Sequence, residues 1–162
     1  MKINVRYVPR HLTKKDKIKQ LKEVLKSRKL YKKDKYYTRK NISSFKSKKS
    51  NHIINAMKIY NINKISASDE LAKKTKCTKK SLAKIINKGE GAYFSSGSRP
   101  NQTAQSWGLA RLASAITGGK SAAVDFKILE EGCQKNSKAL KLANKAKNKY
   151  GYGTRKSPKI YI

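Results

Sequence analysis

The chain has 162 residues and a formal net charge of +32, because 41 basic residues face only 9 acidic ones. Only 37% of the residues are hydrophobic, which allows a small core. Because there is no long apolar run, we expect no membrane span and no secretion signal. Self-repulsion of this size opposes compaction, so we expect a polyanionic partner: nucleic acid, acidic lipid headgroups or acidic protein surfaces. The charge by itself does not choose among these three.

The charge is distributed unevenly, and this predicts the domain organisation. Residues 91–133 hold four basic and three acidic side chains, so the rest of the chain carries nearly all the net charge. Little charge must be desolvated there, which favours burial. We therefore predict a mainly α-helical protein: a small helical core domain over residues 51–133, with extended basic arms at 1–50 and 134–162.

The amino-terminal arm is predicted to contain one helix. Residues 1–12 alternate apolar and polar side chains, as a short strand or an extended arm would. Thr13 is placed to cap a helix that fades near residues 28–30, with Asp16 at the third position after the cap. The apolar side chains of this helix are spaced three and four apart, which predicts one buried stripe. They are Ile18, Leu21 and Leu25.

Residues 31–49 lose this periodicity and mix aromatic with basic side chains. The aromatic members are Tyr31, Tyr36, Tyr37 and Phe45. Such a mixture suits a nucleic-acid surface, where bases stack and phosphates pair with cations. The alternative is an extended arm whose tyrosines dock on its own domain or on a neighbour. Under the first interpretation, Arg39 and Lys40 contact a polyanion.

Two helical patterns follow in the core domain. Residues 51–60 place apolar side chains on one helix side, with His52 beside them as a structural residue. Residues 68–87, SDELAKKTKCTKKSLAKIIN, resemble a helix-turn-helix of the bacterial repressor type. Ser68 is placed to cap the first helix and Thr78 the second, and Gly89 is predicted to end it.

The resemblance to a helix-turn-helix is incomplete at the turn. Ala72 would let the two helices pack closely, but Lys76 replaces the glycine that the left-handed turn prefers. If the family geometry holds, three lysines on the second helix face a major groove. They are Lys79, Lys80 and Lys84. The alternative is a helical hairpin that packs in the core and reads no DNA.

Residues 95–133 form the near-neutral part of the core domain, which we call the hub. Its turn-rich entrance leads to a helix capped by Asn101 or Thr103, and a second helix follows over about residues 121–132. The entrance serines beside Arg99 could hold a phosphate or a carboxylate, although a structural turn is the preferred interpretation. Large apolar side chains predict the anchors of the hub. They are Trp107, Leu112 and Phe126.

After the hub, residues 135–150 predict a basic helix with a narrow stripe of small side chains, followed by an extended tail with an apolar end. Cys77 and Cys133 are the two cysteines of the chain. Their number and separation predict buried, reduced thiols rather than a disulfide or a metal site.

No enzymatic chemistry is predicted. Gly119-Lys120-Ser121 lacks the first glycine of a phosphate-binding loop and follows a helix instead of a strand. The two histidines have no cysteine or carboxylate at a useful spacing. We therefore expect no catalytic residue, no metal, no cofactor and no small-molecule substrate. The residues expected to contact a polyanion are Lys79, Lys80, Lys84, Arg39, Lys40 and Arg99.

Much of the chain, from about residue 5 to residue 133, resembles a family of small, lysine-rich, uncharacterised proteins of the nucleocytoplasmic large DNA viruses. Two segments carry this likeness, TKKDKIKQLKEVLKSRKLYKKDKYYTRK and YFSSGSRPNQTAQSWGLARLASAITGGKSAAVDFKILEEGC. The resemblance implies the context of a virion or an infected cell, and no secretion. Within that context we expect the protein on the inner side of the capsid shell, and in the cytoplasm or nucleus of the host cell during assembly.

Two functions follow as expectations. The first is a minor capsid protein of a large icosahedral virus, whose basic arms bridge major and minor capsid proteins and meet the acidic inner membrane or genomic DNA. The second is a virion protein that binds or condenses DNA through residues 68–87. Long arms around a small core favour the first, and the helix-turn-helix pattern favours the second.

Overall fold

A computed structural model describes residues 2–151 and 159–161 as a mainly α-helical protein, which confirms the predicted fold class. Its helices are α1 (Lys14–Tyr31), α2 (Asn51–Tyr60), α3 (Asp69–Thr75), α4 (Lys79–Ser95), α5 (Ala104–Ile116), α6 (Lys120–Val124), α7 (Phe126–Gly132) and α8 (Lys138–Tyr150). Two short antiparallel strands, β1 (Lys2–Asn4) and β2 (Lys159–Tyr161), pair Ile3 with Ile160. The remainder of the predicted tail, 152–158 and 162, lies outside the described residues.

The chain divides into two compact units, each with its own buried apolar cluster. Among the described residues, unit 1 comprises 2–48, 90–107 and 159–161, and unit 2 comprises 49–89 and 108–151. This division differs from the predicted one, because residues 2–48 share a unit with the first part of the hub. The charge contrast predicted which segment can be buried at a low desolvation cost. It carried no information on which segments pack together.

Helix α1 turns a largely polar face to the interior of unit 1. Its buried residues are Asp16, Gln20, Val24 and Ser27. Gln20 donates to the carbonyl of Tyr7 at 3.0 Å, and the Asp16 carboxylate accepts from the backbone N–H of Ser44 at 2.9 Å. The stripe predicted from apolar spacing is therefore wrong in part, since Ile18 is 48% exposed. The interior of unit 1 contains loop backbone that needs hydrogen-bond partners, and polar side chains supply them.

Unit 2 contains the larger apolar cluster and the helices that the sequence predicted best. Helix α2 has the predicted bounds, and α8 begins after the cap Ser137, whose hydroxyl accepts from the N–H of Leu140 at 3.2 Å. The second hub helix is divided into α6 and α7 at Asp125, which has φ −100° and ψ 20°. Its carboxylate is buried between basic side chains of α4 and α5, as described below.

Helix α4 continues through Gly89 to Ser95, so the predicted helix end at this glycine is wrong. A Cβ added at Gly89 would lie 2.6 Å from the Cα of Gly108 in α5, a distance that real Cβ atoms essentially never show. The glycine therefore permits a close approach of two helix backbones. Gly91, one half-turn further on, would place a Cβ in open space.

These two glycines give a matched pair of substitutions in one helix. Gly91→Ala should raise the free energy of unfolding by about 0.5–1 kcal/mol, because alanine loses less backbone entropy in a helix. Gly89→Ala gains the same helix propensity but forces α4 and α5 apart, and overpacking of this kind costs about 1–3 kcal/mol. Urea unfolding followed by far-ultraviolet circular dichroism measures both, and equal effects would contradict the packing explanation.

Candidate nucleic-acid interface

The segment predicted as a helix-turn-helix forms two helices joined by a three-residue turn, and we call residues 68–88 the basic head. The Ser68 hydroxyl accepts from the N–H of Leu71 at 3.2 Å and caps α3. Lys76 ends α3 with φ 56° and ψ 34°, so the left-handed turn forms although a lysine occupies it. Thr78 then caps α4, accepting from the N–H of Ser81 at 3.2 Å.

The inner side of the basic head is mostly apolar, with Thr75 and Ser81 as its buried polar members. Its buried apolar members all belong to the core cluster of unit 2, and they are Leu71, Cys77, Leu82 and Ile85. These positions come from α3, the turn and α4 together, which fixes the angle between the two helices. The opposite side of α4 is therefore presented to solvent.

The outer side of the basic head is cationic. Lys79, Lys80 and Lys84 are all exposed, as the helix-turn-helix prediction requires, and Lys73 and Lys76 are exposed beside them. The Lys79 ammonium lies 3.5 Å from the Asp69 carboxylate, but both side chains are mostly exposed. Exposed pairs contribute little, so this contact leaves Lys79 able to bind another anion.

A disulfide between Cys77 and Cys133 joins the turn of the basic head to the residue after α7. The prediction of reduced thiols is therefore wrong. The two cysteines face each other as an isolated antiparallel bridge, with Cα atoms 3.9 Å apart. Flanking backbone bonds run from the N–H of Thr78 to Gly132 O at 2.8 Å and from the N–H of Gln134 to Lys76 O at 2.9 Å.

The residues next to the disulfide also pack against one side of the start of α4. A Cβ added at Gly132 would lie 2.3 Å from the Cβ of Ser81, which is buried. Residues 132–134 thus cover the side of α4 that faces the core and leave its lysine side open. The separation of 56 residues between the two cysteines gave no local signal that could have revealed this pairing.

A buried carboxylate ties α4 to the rest of unit 2. The side chain of Asp125 is 0% exposed and accepts two hydrogen bonds from Arg111, each 2.8 Å long. The ammonium of Lys88 lies 3.1 Å from the same carboxylate. The two-point arginine–carboxylate pair fixes the position of the Asp125 carboxylate, and the Lys88 contact ties the last turn of the basic head to it.

Arg39 does not contact a solvent polyanion, contrary to the sequence prediction, because it is 6% exposed in unit 1. It donates to Ser27 Oγ at 2.9 Å, to Tyr93 O at 2.7 Å and to Ser98 Oγ at 2.7 Å. The guanidinium carbon also lies 3.7 Å from the centroid of the Tyr93 ring. Burial lowers the pKa of Arg39 from its ordinary value.

The other predicted residues divide between surface and core. Lys40 and Arg99 are exposed, but they belong to unit 1 and lie outside the basic head. Ser98 is buried and donates to Arg99 O at 2.7 Å, so the serine loop is a structural turn, as preferred. Of the predicted anchors, Leu112 and Phe126 are buried, whereas Trp107 is only partly buried, 6.4 Å from the Tyr7 ring.

Within residues 2–151 and 159–161, no cluster of three or more His, Cys, Asp or Glu side chains is arranged to hold a metal ion. In the same part of the chain, no helix combines the length and apolar character needed to cross a bilayer.

A family model matches most of the chain. The model of DUF5824, a family of unknown function, matches residues 5–136, which is more than half of the chain. No curated protein and no solved structure matches the chain. The family description supplies no activity, so function has to be inferred from the geometry.

The placement of Arg39 predicts the cost of removing it. Arg39→Met leaves three oxygens of unit 1 without a donor, and hydrogen bonds to a charged group contribute roughly 1.5–3 kcal/mol to the free energy of unfolding. Trp107 belongs to unit 1, so its fluorescence in a urea titration reports this loss. Lys40→Met is the control, since its exposed side chain should change stability by less than about 0.5 kcal/mol. Equal midpoints for the two variants would contradict the assignment.

The disulfide predicts a second stability difference. Closing a loop across 56 residues restricts the unfolded chain, so Cys77→Ala/Cys133→Ala should lower the free energy of unfolding by about 2–4 kcal/mol. Urea unfolding followed by far-ultraviolet circular dichroism measures the loss. A dithiol reductant should destabilise the natural chain to the same extent and leave the double variant unchanged. Thiol titration verifies reduction, and an unchanged midpoint in the reduced natural chain would refute the prediction.

Proposed function

The chain belongs to the DUF5824 family, and we propose that it is a non-enzymatic protein that binds duplex DNA through its basic head. One observation carries the proposal: the start of α4 exposes Lys79, Lys80 and Lys84, while its opposite side is buried and the turn before it is held by a disulfide. A helix presented in this way matches the second helix of a helix-turn-helix, whose amino-terminal residues enter the major groove.

The chemistry of the exposed face indicates how DNA would be held. Lysine ammonium groups act as point charges, so they suit phosphate contacts better than two-point recognition of a base. Asn87 is exposed one turn after Lys84 on the same helix, and an asparagine amide can pair with both edge atoms of adenine. We therefore propose strong electrostatic binding with a modest preference for sequence.

The net charge supports the proposal at longer range. With +32 spread over 162 residues, the chain attracts any polyanion and gains free energy when condensed counterions leave the DNA. Charge alone therefore produces binding at low salt and cannot identify the head as the site. The test must separate the lysines of the head from lysines elsewhere.

The second candidate is a minor structural protein of a large icosahedral virion, in contact with major and minor capsid proteins and with the acidic inner membrane surface. The observation favouring it is that cationic surface extends beyond the head, for example to Lys14, Lys15 and Lys29 on α1. Residues 2–48 are packed within unit 1, however, so the bridging-arm argument loses weight. The viral context of both candidates rests on the resemblance described from the sequence.

A pair of triple variants tests the first candidate. Lys79→Ala/Lys80→Ala/Lys84→Ala should reduce the slope of log K against log salt by up to about 2.7, since each phosphate contact on duplex DNA contributes about 0.9. The control Lys14→Ala/Lys15→Ala/Lys29→Ala removes the same charge from exposed positions on α1. Fluorescence anisotropy with a labelled DNA duplex, measured over a salt series, gives both slopes.

Selection from random duplexes adds a measure of specificity. A recovered motif should disappear with the head variant and persist with the α1 variant, because base-edge contacts contribute roughly 1–3 kcal/mol each. Equal slopes for the two variants together with no recovered motif would refute the head as a DNA site. Recovery of the protein in the ordered capsid shell, and not with the released genome, would then favour the second candidate.

A further inference from the structure

We propose that unit 1 carries a second nucleic-acid site, a stacking platform that takes an unpaired base of a single strand. The platform consists of Tyr36 together with Tyr31 and Phe94. It lies in a different unit from the basic head and requires no duplex groove. The proposal therefore stands whether or not the head binds duplex DNA.

The three rings form a contiguous aromatic surface. The Tyr36 ring meets Phe94 edge to face, with centroids 5.2 Å apart, and meets Tyr31 in the same manner at 6.1 Å. Tyr31 and Phe94 are nearly parallel, with 7° between their planes and 6.4 Å between their centroids. Tyr36 is 70% exposed, and its two partners are partly exposed. The fold thus leaves most of one large aromatic side chain in water.

The backbone that presents Tyr36 is tightly held. The N–H of Lys35 donates to Leu30 O and the N–H of Asp34 donates to Tyr31 O, both at 3.0 Å, which is the hydrogen-bond pair of a Schellman motif. Asp34 occupies the left-handed position of this turn, with φ 54°. The turn that follows α1 is therefore fixed immediately before Tyr36.

The residues after Tyr36 are also anchored. The Tyr37 hydroxyl donates to the Glu23 carboxylate at 2.9 Å, and the backbone N–H of Lys40 donates to the same oxygen at 2.8 Å. Arg39, two residues after Tyr37, is buried. An exposed ring between two anchored segments is pre-organised, so little conformational entropy is lost when a ligand stacks on it.

The charge around the platform selects the ligand class. The exposed lysines nearest to Tyr36 in sequence are Lys32, Lys33, Lys35 and Lys40. Asp34 is the single acidic residue between positions 24 and 68. An aromatic ring bordered by cations suits a molecule that joins a flat π-face to a phosphate, and a single-stranded nucleic acid repeats this unit at every nucleotide. An acidic peptide would use the lysines but leave the ring unused.

The test compares Tyr36 with an aromatic residue of equal exposure. Tyr161 is 73% exposed and has the Lys2 ammonium 5.0 Å from its ring centroid, yet no tyrosine or phenylalanine ring of the platform accompanies it. Binding of a labelled oligothymidine of about eight nucleotides is measured by anisotropy for Tyr36→Ala, Tyr36→Phe and Tyr161→Ala. The salt is raised until electrostatic binding is weak, and inorganic polyphosphate serves as a probe without bases.

We expect Tyr36→Ala to weaken oligothymidine binding by about 5- to 150-fold, which corresponds to the loss of one stacked base. Tyr36→Phe keeps the ring and should bind like the natural chain, as should Tyr161→Ala. Polyphosphate binding should be unchanged in all three. A Tyr36→Ala affinity within about twofold of the Tyr161→Ala value, given the free-energy scale of a stacked base, would overturn the proposal.

Two further outcomes count against the platform. Equal losses for oligothymidine and polyphosphate would show that the ring acts through charge or folding and not by stacking. Self-association that Tyr36→Ala abolishes would assign the surface to a second copy of the chain.

The head variant with Lys79, Lys80 and Lys84 replaced should keep most of its oligothymidine binding at high salt, which separates this site from the duplex site.

Discussion

Self-repulsion among 41 basic residues is the constraint on which the rest of the structure depends. Five of the nine acids are exposed, and two of these pair with surface lysines, but three others have structural partners. Asp125 binds Arg111 and Lys88 inside unit 2, Glu23 accepts from Tyr37 and the backbone of Lys40, and Asp16 accepts from the backbone of Ser44. The hydrogen bonds from Ser44 lower the pKa of Asp16. These three carboxylates fix loop backbone or orient basic side chains.

A consequence of this use is a surface on which cations are largely unopposed. Binding a polyanion relieves the repulsion, so association and folding favour each other in this chain. The two proposed sites exploit the same surplus by different geometry. The basic head offers the exposed side of a helix for a groove, whereas the platform offers a fixed aromatic ring for a single base. Each site would add a requirement for shape to an electrostatic attraction that does not by itself distinguish one polyanion from another.

The sequence predicted elements well where the signals were local. The caps Thr13, Ser68 and Thr78 and the bounds of α2 follow from short patterns that depend on neighbouring residues only. Exposure of the three head lysines follows from helical periodicity in the same way.

The sequence failed where the decisive contact is distant. Gly89 reads as a helix end because its partner, Gly108, is nineteen residues away. Arg39 reads as a surface cation, since its acceptors come from α1 and from segments more than fifty residues further along. The apolar spacing that begins at Ile18 predicted an apolar inner face for α1. In the structure Ile18 is exposed and the buried face of α1 is largely polar. Each miss concerns a backbone or side-chain partner that no local pattern encodes.

The turn at Lys76 shows how the distant contacts support the local motif. A non-glycine residue in the left-handed region costs roughly 1–2 kcal/mol, which is why the lysine counted against a helix-turn-helix. Two backbone hydrogen bonds from residues 132–134 and the Cys77–Cys133 disulfide hold this turn on both sides. Their combined contribution exceeds that cost, because the disulfide alone contributes about 2–4 kcal/mol. The shape of the basic head is therefore set by α7 and the strand-like residues after it, and the proposed site depends on unit 2 as a whole.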